Sequence, residues 1–321
     1  MAARSFRKLG KIFDPTRYRL HDDCVQFAQA PQALLLDDRV RIYFSTRAVD
    51  KSNGKYLSRI AFVEVTKDLR EVIRVSERTV IPLGKLGCFD EHGIFPMNVL
   101  RHGDAVLGYT CGWSRRVSVS VDTAIGLAVS RDGGLTFERQ GDGPVMSASL
   151  HEPCLVGDGF VKFIGGRFHM WYIFGTGWKK YAADAQPDRT YKIGHAHSRD
   201  GITWTKDEAR QIIADRLGAA ESQALPTVIG IEGRFHMFFC YRQSFDFRNN
   251  SARGYRIGHA FSDDLVNWTR DDQNPALDVT PGEWDSQMQC YPHVFECEGK
   301  VYLLYNGNEF GRNGFGAAVL E

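Results

Sequence analysis

Residues 153–204 read PCLVGDGFVKFIGGRFHMWYIFGTGWKKYAADAQPDRTYKIGHAHSRDGITW. A proline opens an apolar run, Gly165 and Gly166 turn the chain, and RFHMWYIF (167–174) follows as an aromatic-rich strand. YKIGHAHS (191–198) then leads through Arg199, Asp200 and Gly201 to Trp204. Aromatic and β-branched runs bounded by Gly and Asp turn signals predict antiparallel strands joined by tight hairpins. The same phrase returns five times, with Pro31, Pro96, Pro153, Pro226 and Pro292 in the matching place, 65, 57, 73 and 66 residues apart. Four short strands per repeat, five times over 321 residues, predict an all-β fold. The expected architecture is a five-bladed β-propeller of four-stranded antiparallel blades.

Working outward, the fourth repeat has the same parts: TVIGI (227–231), a turn at Glu232 and Gly233, RFHMFFCYR (234–242), YRIGHAFS (255–262) and Trp268. The last repeat stops early, after HVFECEG, KVYLLYN and GFGAAVL, without an outer strand. Phe6-Arg7-Lys8 resembles the outer-strand openings Phe137-Glu138-Arg139 and Trp268-Thr269-Arg270. A ring closed by the N-terminal strand is therefore expected, which removes the open sheet edges. The whole chain, 1–321, reads as one domain.

Composition fits this picture. Hydrophobic residues make up 43% and aromatics 12%, and 32 glycines suit many hairpin turns. Net charge is +1 from 40 basic and 39 acidic residues, with no basic stripe, so nucleic acid is not an expected partner. The N-terminus lacks an uninterrupted apolar run and no segment approaches membrane-spanning length. Seven scattered cysteines without a CxxC pair read as reduced thiols in a cytoplasmic protein, with no metal site and no cofactor expected.

Asp132, Asp200 and Asp264 lie in Ser-x-Asp turns and read as turn-formers, their carboxylates accepting backbone N–H bonds. His169, His195, His236 and His259, inside strands, read as structural. Strand parity places the loops before the first strand and after the second of each blade at one mouth of the central channel. Before the first strands come Asp90, His151 with Glu152, Glu221, and Trp284 with Asp285. After the second strands come Arg47, Trp113, Trp178, Arg242 and Asn306-Gly307-Asn308-Glu309. Carboxylates from several blades suit general acid and base work on a glycoside. Tryptophans suit stacking on a sugar face, and arginines suit bidentate capture of an anionic substituent.

With these residues in hand, the chain resembles the five-bladed propeller glycosidases, families 43, 32, 62 and 68, and the family 130 mannoside phosphorylases. Phe89-Asp90 with Pro96 and Trp284-Asp285 with Pro292 look like the aromatic-Asp lead-ins of such families, and His151-Glu152-Pro153 resembles their proton-donor segment. The family 43 pattern has an acid immediately before the first-blade proline; here Ala30 precedes Pro31, and Asp22 and Asp23 lie upstream.

The resemblance implies a carbohydrate-active enzyme on an oligosaccharide or glycoside, in the first instance an inverting hydrolase. Glu152 is the expected general acid, Asp285 or Asp90 the base, and Glu221 a tuning or hydroxyl-binding acid. Arg47 and Arg242 would hold an anionic group, with the two working carboxyls roughly 6.5–9.5 Å apart. Phosphate or an activated sugar held by Arg47, Arg242, His151 and His293 would instead give a phosphorylase or transferase. A propeller without the first-blade acid could also be a non-catalytic glycan binder.

Overall fold

The computed structural model describes residues 5–274 and 277–321. β1 (Phe6–Phe13) leads into a first meander of β2 (Val25–Leu35), β3 (Val40–Val49), β4 (Tyr56–Val65) and β5 (Val72–Val75). The second is β6 (Gly93–His102), β7 (Ala105–Arg115), β8 (Val121–Ser130) and β9 (Glu138–Arg139). The third is β10 (Val156–Ile164), β11 (Arg167–Lys179), β12 (Asp188–Ser198) and β13 (Thr205–Lys206). The fourth is β14 (Glu221–Ile231), β15 (Arg234–Gln243), β16 (Arg256–Ser262) and β17 (Thr269–Arg270). The last is β18 (Cys290–Cys297), β19 (Lys300–Asn306) and β20 (Phe315–Leu320).

Within each meander sequential strands pair antiparallel, and a single parallel bridge, Ser58 to Gly93, joins the first two. The last meander has three strands of its own. β1 supplies its fourth, from Phe6 opposite Leu320 to Phe13 opposite Phe315. Among the described residues, helical structure is confined to single turns at Pro15–Arg17, Ser251–Arg253 and Asn308–Gly311.

The blades form a propeller because each buries its faces only against its neighbours. The first strands β2, β6, β10, β14 and β18 each pack against the next, and β18 returns to β2. Apolar clusters fill the gaps between adjoining blades. Tyr43, Phe62, Met97 and Phe137 join the first and second, Tyr109, Ile125, Phe168 and Met170 the second and third. Phe44, Val63, Phe295 and Leu304 join the last blade to the first. Fully burying each large side chain contributes about 1.5–3 kcal/mol. Asn306 fastens the closing seam: its Oδ1 accepts from Ala30 N at 2.8 Å, and its Nδ2 donates to the Ala28 and Gly314 carbonyls, both at 2.8 Å.

Two local devices repeat. The hairpin turns at Gly165-Gly166, Glu232-Gly233 and Glu298-Gly299 all have positive φ at both residues, the twist that two-residue hairpins require. Each first strand also carries a two-residue bulge, at Ala30-Pro31, Phe95-Pro96, Asp158-Gly159, Leu225-Pro226 and Tyr291-Pro292. The third blade's matching position is thus Gly159 and not Pro153, which lies outside the strand. Counted on the bulges, the spacings are 65, 63, 67 and 66 residues, more even than the prolines gave.

Asp132, Asp200 and Asp264 brace their turns. Asp132 accepts from the Leu135 and Thr136 N–H groups at 2.9 and 3.0 Å, and Asp200 and Asp264 accept from Thr203 N and Asn267 N, each at 2.7 Å.

Candidate active site

The bulges crowd the first strands around the axis, and the loops after the second strands rise over one end. Between them lies a cavity of ≈ 410 Å³. Its floor is Gln29, Phe95, Asp158, Ala224 and Tyr291 from the five first strands. Its walls are Arg47, Trp113, Arg189, Tyr191, Arg242 and Tyr255, with Phe247, Arg248 and Phe310 above. A pocket of this size takes a small ligand of sugar dimensions.

Its charge is lopsided. Among the described residues, Asp158 is the sole carboxylate in the lining, beside four arginines. It is 7% exposed, and burial pushes its carboxyl up to about 7 against the opposing Leu225 N–H, the Arg189 charge and the Cys111 thiol. Among the described residues no carboxylate pairs with Arg47, Arg189 or Arg242. Aromatic faces hold the guanidiniums instead. Arg242 lies 3.5 Å over the Phe247 ring and 5.2 Å from those of Tyr191 and Tyr255. Arg47 lies 5.7 Å and 5.9 Å from the rings of Phe27 and Phe95. Burial lowers Arg47 to about 10, which leaves it charged at neutral pH. Two buried lining atoms lack any partner among the described residues, the donor Nε of Arg242 and the acceptor Oε1 of Gln29. Buried donors and acceptors ordinarily find partners, so these two atoms remain open to a polar group in the cavity.

The lead-in acids are built differently. Asp90, Glu152, Glu221 and Asp285 are at most 1% exposed, and none lines the central cavity. Each meets the cation of its own blade's outer strand. Glu152 accepts from Lys206 Nζ and Tyr172 OH at 2.7 Å each, and from Ala209 N at 3.1 Å. Glu221 accepts from Arg270 Nη1 at 2.7 Å and from the Arg216 and Leu217 N–H groups at 2.8 Å. Asp90 accepts from Arg139 Nη2 at 2.5 Å and Nε at 3.0 Å. Asp285 accepts from Lys8 Nζ at 2.6 Å, Gln289 at 3.0 Å and Tyr305 OH at 3.1 Å. Burial alone would raise the Asp285 carboxyl, but Lys8, Gln289 and Tyr305 together hold it below its ordinary value. Oδ1 of Asp90 and of Asp285 has no partner among the described residues. In sequence the cation always stands two residues after an aromatic: Phe137 and Arg139, Trp204 and Lys206, Trp268 and Arg270, Phe6 and Lys8.

Two Mycobacterium tuberculosis proteins, "Uncharacterized protein Rv1502" (strain ATCC 25618 / H37Rv) and "Uncharacterized protein MT1551" (strain CDC 1551 / Oshkosh), are each 34% identical over 322 residues, covering 99% of both chains. The chain belongs to their family. No protein-family model matches it. Among solved structures it resembles a "Glycoside hydrolase" at TM-score 0.75 and 18% identity, covering 99% of this chain and 92% of that one. A thermostable family-43 glycoside hydrolase gives TM-score 0.64 at 14% identity, covering 92% and 89%. The β-1,2-mannobiose phosphorylase from Listeria innocua gives 0.66 at 13%, covering 99% and 96%. This Rv1502-family chain therefore has the fold of the propeller glycosidases.

The remaining expected site residues of this Rv1502-family protein scatter. Arg47, Trp113 and Arg242 reach the cavity; Trp178 stands behind it, 5.4 Å from the Arg189 guanidinium. His151 is exposed on a lead-in loop. His293 is buried against Phe160, with burial and Lys162 lowering it to about 3. Asn308 and Glu309 line a separate hollow with Lys11 and Trp284. Asp22 bonds His21 and Thr79, and Asp23 is exposed beside Lys51. Sequence reading passed over Asp158, Arg189 and Arg248. Counting back from the hairpin turns would have found the first: Asp158, Leu225 and Tyr291 each lie six residues before the last residue of their strands, Ile164, Ile231 and Cys297.

Among the described residues no cluster of potential metal ligands occurs, all seven cysteines are free, and no helix is long and apolar enough to cross a membrane.

Proposed function

We propose that this protein is a carbohydrate-active enzyme that makes or breaks a glycosidic bond in the central cavity, with phosphate as the anionic reactant. One observation carries the reading: a single carboxyl group, Asp158, shares the cavity with Arg47, Arg189 and Arg242, which form no salt bridge among the described residues. In the breakdown direction Asp158 gives its proton to the glycosidic oxygen as the bond from the anomeric carbon to that oxygen breaks. A phosphate oxygen held by Arg47, Arg242 and Arg189 forms the new bond to the same carbon. The products are a sugar phosphate and the released alcohol. A carboxyl titrating near 7 is half protonated at neutral pH, which suits a proton donor in one direction and an acceptor in the other.

Hydrolysis by paired carboxylates needs a second acid in the cavity, and the lining has one. The lead-in acids, including Glu152, fasten each lead-in segment across its own blade in this reading. Incubation with a panel of glycosides, followed by phosphorus NMR, tests it. A sugar phosphate should appear only when phosphate is present, and not with Asp158→Asn. Equal turnover in phosphate-free buffer would overturn phosphorolysis.

A further inference from the structure

The connection between β19 and β20 crosses the seam where the ring closes, and both of its ends are tied. At one end Asn308 N donates to the Trp284 carbonyl at 2.9 Å, and Asn308 Oδ1 accepts from Gln287 N at 2.8 Å. At the other, Phe27 N donates to the Arg312 carbonyl at 2.9 Å, and Arg312 Nε donates to Gln26 Oε1 at 3.0 Å. The tip between them, Glu309 to Gly311, brings Phe310 to the central cavity. Its ring meets those of Phe247 and Tyr255 edge-on, with centroids 6.1 and 6.2 Å away.

The tip is strained. Glu309 and Phe310 have φ of 56° and 57°, and Gly311 of 79°. Left-handed backbone is unfavourable for residues other than glycine, and two in succession persist only under an opposing restraint. Gly311 is needed twice over, since a Cβ there would also collide with the Asn306 amide. Beyond the bonds of the turn itself, one hydrogen bond among the described residues links the tip to another part of the chain. Gln29 Nε2 donates to the Phe310 carbonyl at 2.7 Å. Gln29 is 4% exposed on the cavity floor, so water competes little for that bond.

We propose that residues 308–312 form a strap drawn under strain across the cavity mouth, and that Gln29 is the positioning residue that latches it shut. Loss of the latch lets Glu309 and Phe310 relax to ordinary backbone angles, and Phe310 leaves the cavity. Tied ends and a strained middle confine the motion to the tip. Access to the lining, including its one cysteine, Cys111, therefore follows the latch.

Hydrogen exchange across residues 308–314 tests the latch, and modification of Cys111 by methyl methanethiosulfonate tests the gate. Cys290, fully buried and outside the lining, reports global opening and serves as the internal reference. Gln29→Met keeps the side-chain length and loses the donor. It should raise strap exchange and Cys111 modification about tenfold while Cys290 stays protected, the worth of one buried hydrogen bond. Glu309→Gly removes the strain of one left-handed residue and should lower both rates. A Gln29 that only fills space would leave strap exchange unmoved in Gln29→Met, and that result would overturn the latch. Faster exchange in Glu309→Gly would overturn it as well. Strap exchange that responds while Cys111 modification does not, or Cys111 reacting in step with Cys290 in every form, would overturn the gate.

Discussion

Two sets of buried acids face opposite fates in this propeller. Asp90, Glu152, Glu221 and Asp285 recur blade after blade, each ionically tied to the outer strand of its own blade. Asp158 occurs once, in a bulge slot where the other blades carry Ala30, Phe95, Leu225 and Tyr291. Recurrence in four blades suits a need that those blades share, such as fastening the lead-in segment across the blade. A group present in one blade breaks the symmetry of the repeat. Their electrostatics differ in the same sense. The tied acids face cations, whereas Asp158 sits desolvated and is pushed toward its neutral form.

The sharpest way to break this contrast is to exchange the roles. Asp158→Asn should lower turnover by roughly 10²–10⁴-fold, the usual worth of a positioned acid or base, while the protein stays folded. Full activity in that variant would remove Asp158 from the chemistry. Glu152→Gln should do the converse. It strands Lys206 in a nearly buried place and should cost about 3–5 kcal/mol in denaturant unfolding, with turnover per folded molecule preserved. Lost turnover at unchanged stability would restore Glu152 as a catalyst.

The pH dependence of stability carries the same contrast in opposite signs. The Asp158 carboxyl is raised from 3.8 to about 7 on folding, so the folded state binds the extra proton between those values. Stability from this group is greatest below the unfolded value and falls as pH rises toward 7. The loss is on the order of 4 kcal/mol from that shift. Asp158→Asn should therefore be more stable than the parent at pH 8, the difference shrinking to nothing near pH 4. Asp285 is lowered on folding, so its contribution is complete above 3.8 and disappears as pH falls through its folded value. Lys8→Met should erase that acid-side loss, read from unfolding midpoints between pH 5 and 2. The smallest effect belongs to the turns. Asp132→Ala leaves the Leu135 and Thr136 N–H groups to water and should cost about 1–2 kcal/mol, visible as a modest drop in Tm.

Much of the fold was legible because it is written locally. Gly165-Gly166 and Glu232-Gly233 mark hairpins by their conformational preferences, and the missing strand after GFGAAVL could be matched to Phe6-Arg7-Lys8 by pattern. The cavity residues Arg47, Trp113 and Arg242 were reachable through strand parity. Asp158 was not, because the repeat was counted from Pro153, and a glycine occupies the bulge where the other blades use proline. The lead-in acids drew notice as a catalytic cluster because they recur, and recurrence is also what a structural fastening produces.

The sequence alone therefore determined the strands, the turns, the repeat and the borrowed first strand, since these depend on backbone preferences and neighbours within a few residues. Which buried acid faces a cation across its own blade and which faces the central cavity was decided only by tertiary structure. Glu152 and its partner Lys206, like Asp158 and the Arg189 charge that acts on it, lie tens of residues apart in the chain. Their electrostatic environment exists only once the sheets have packed and excluded water.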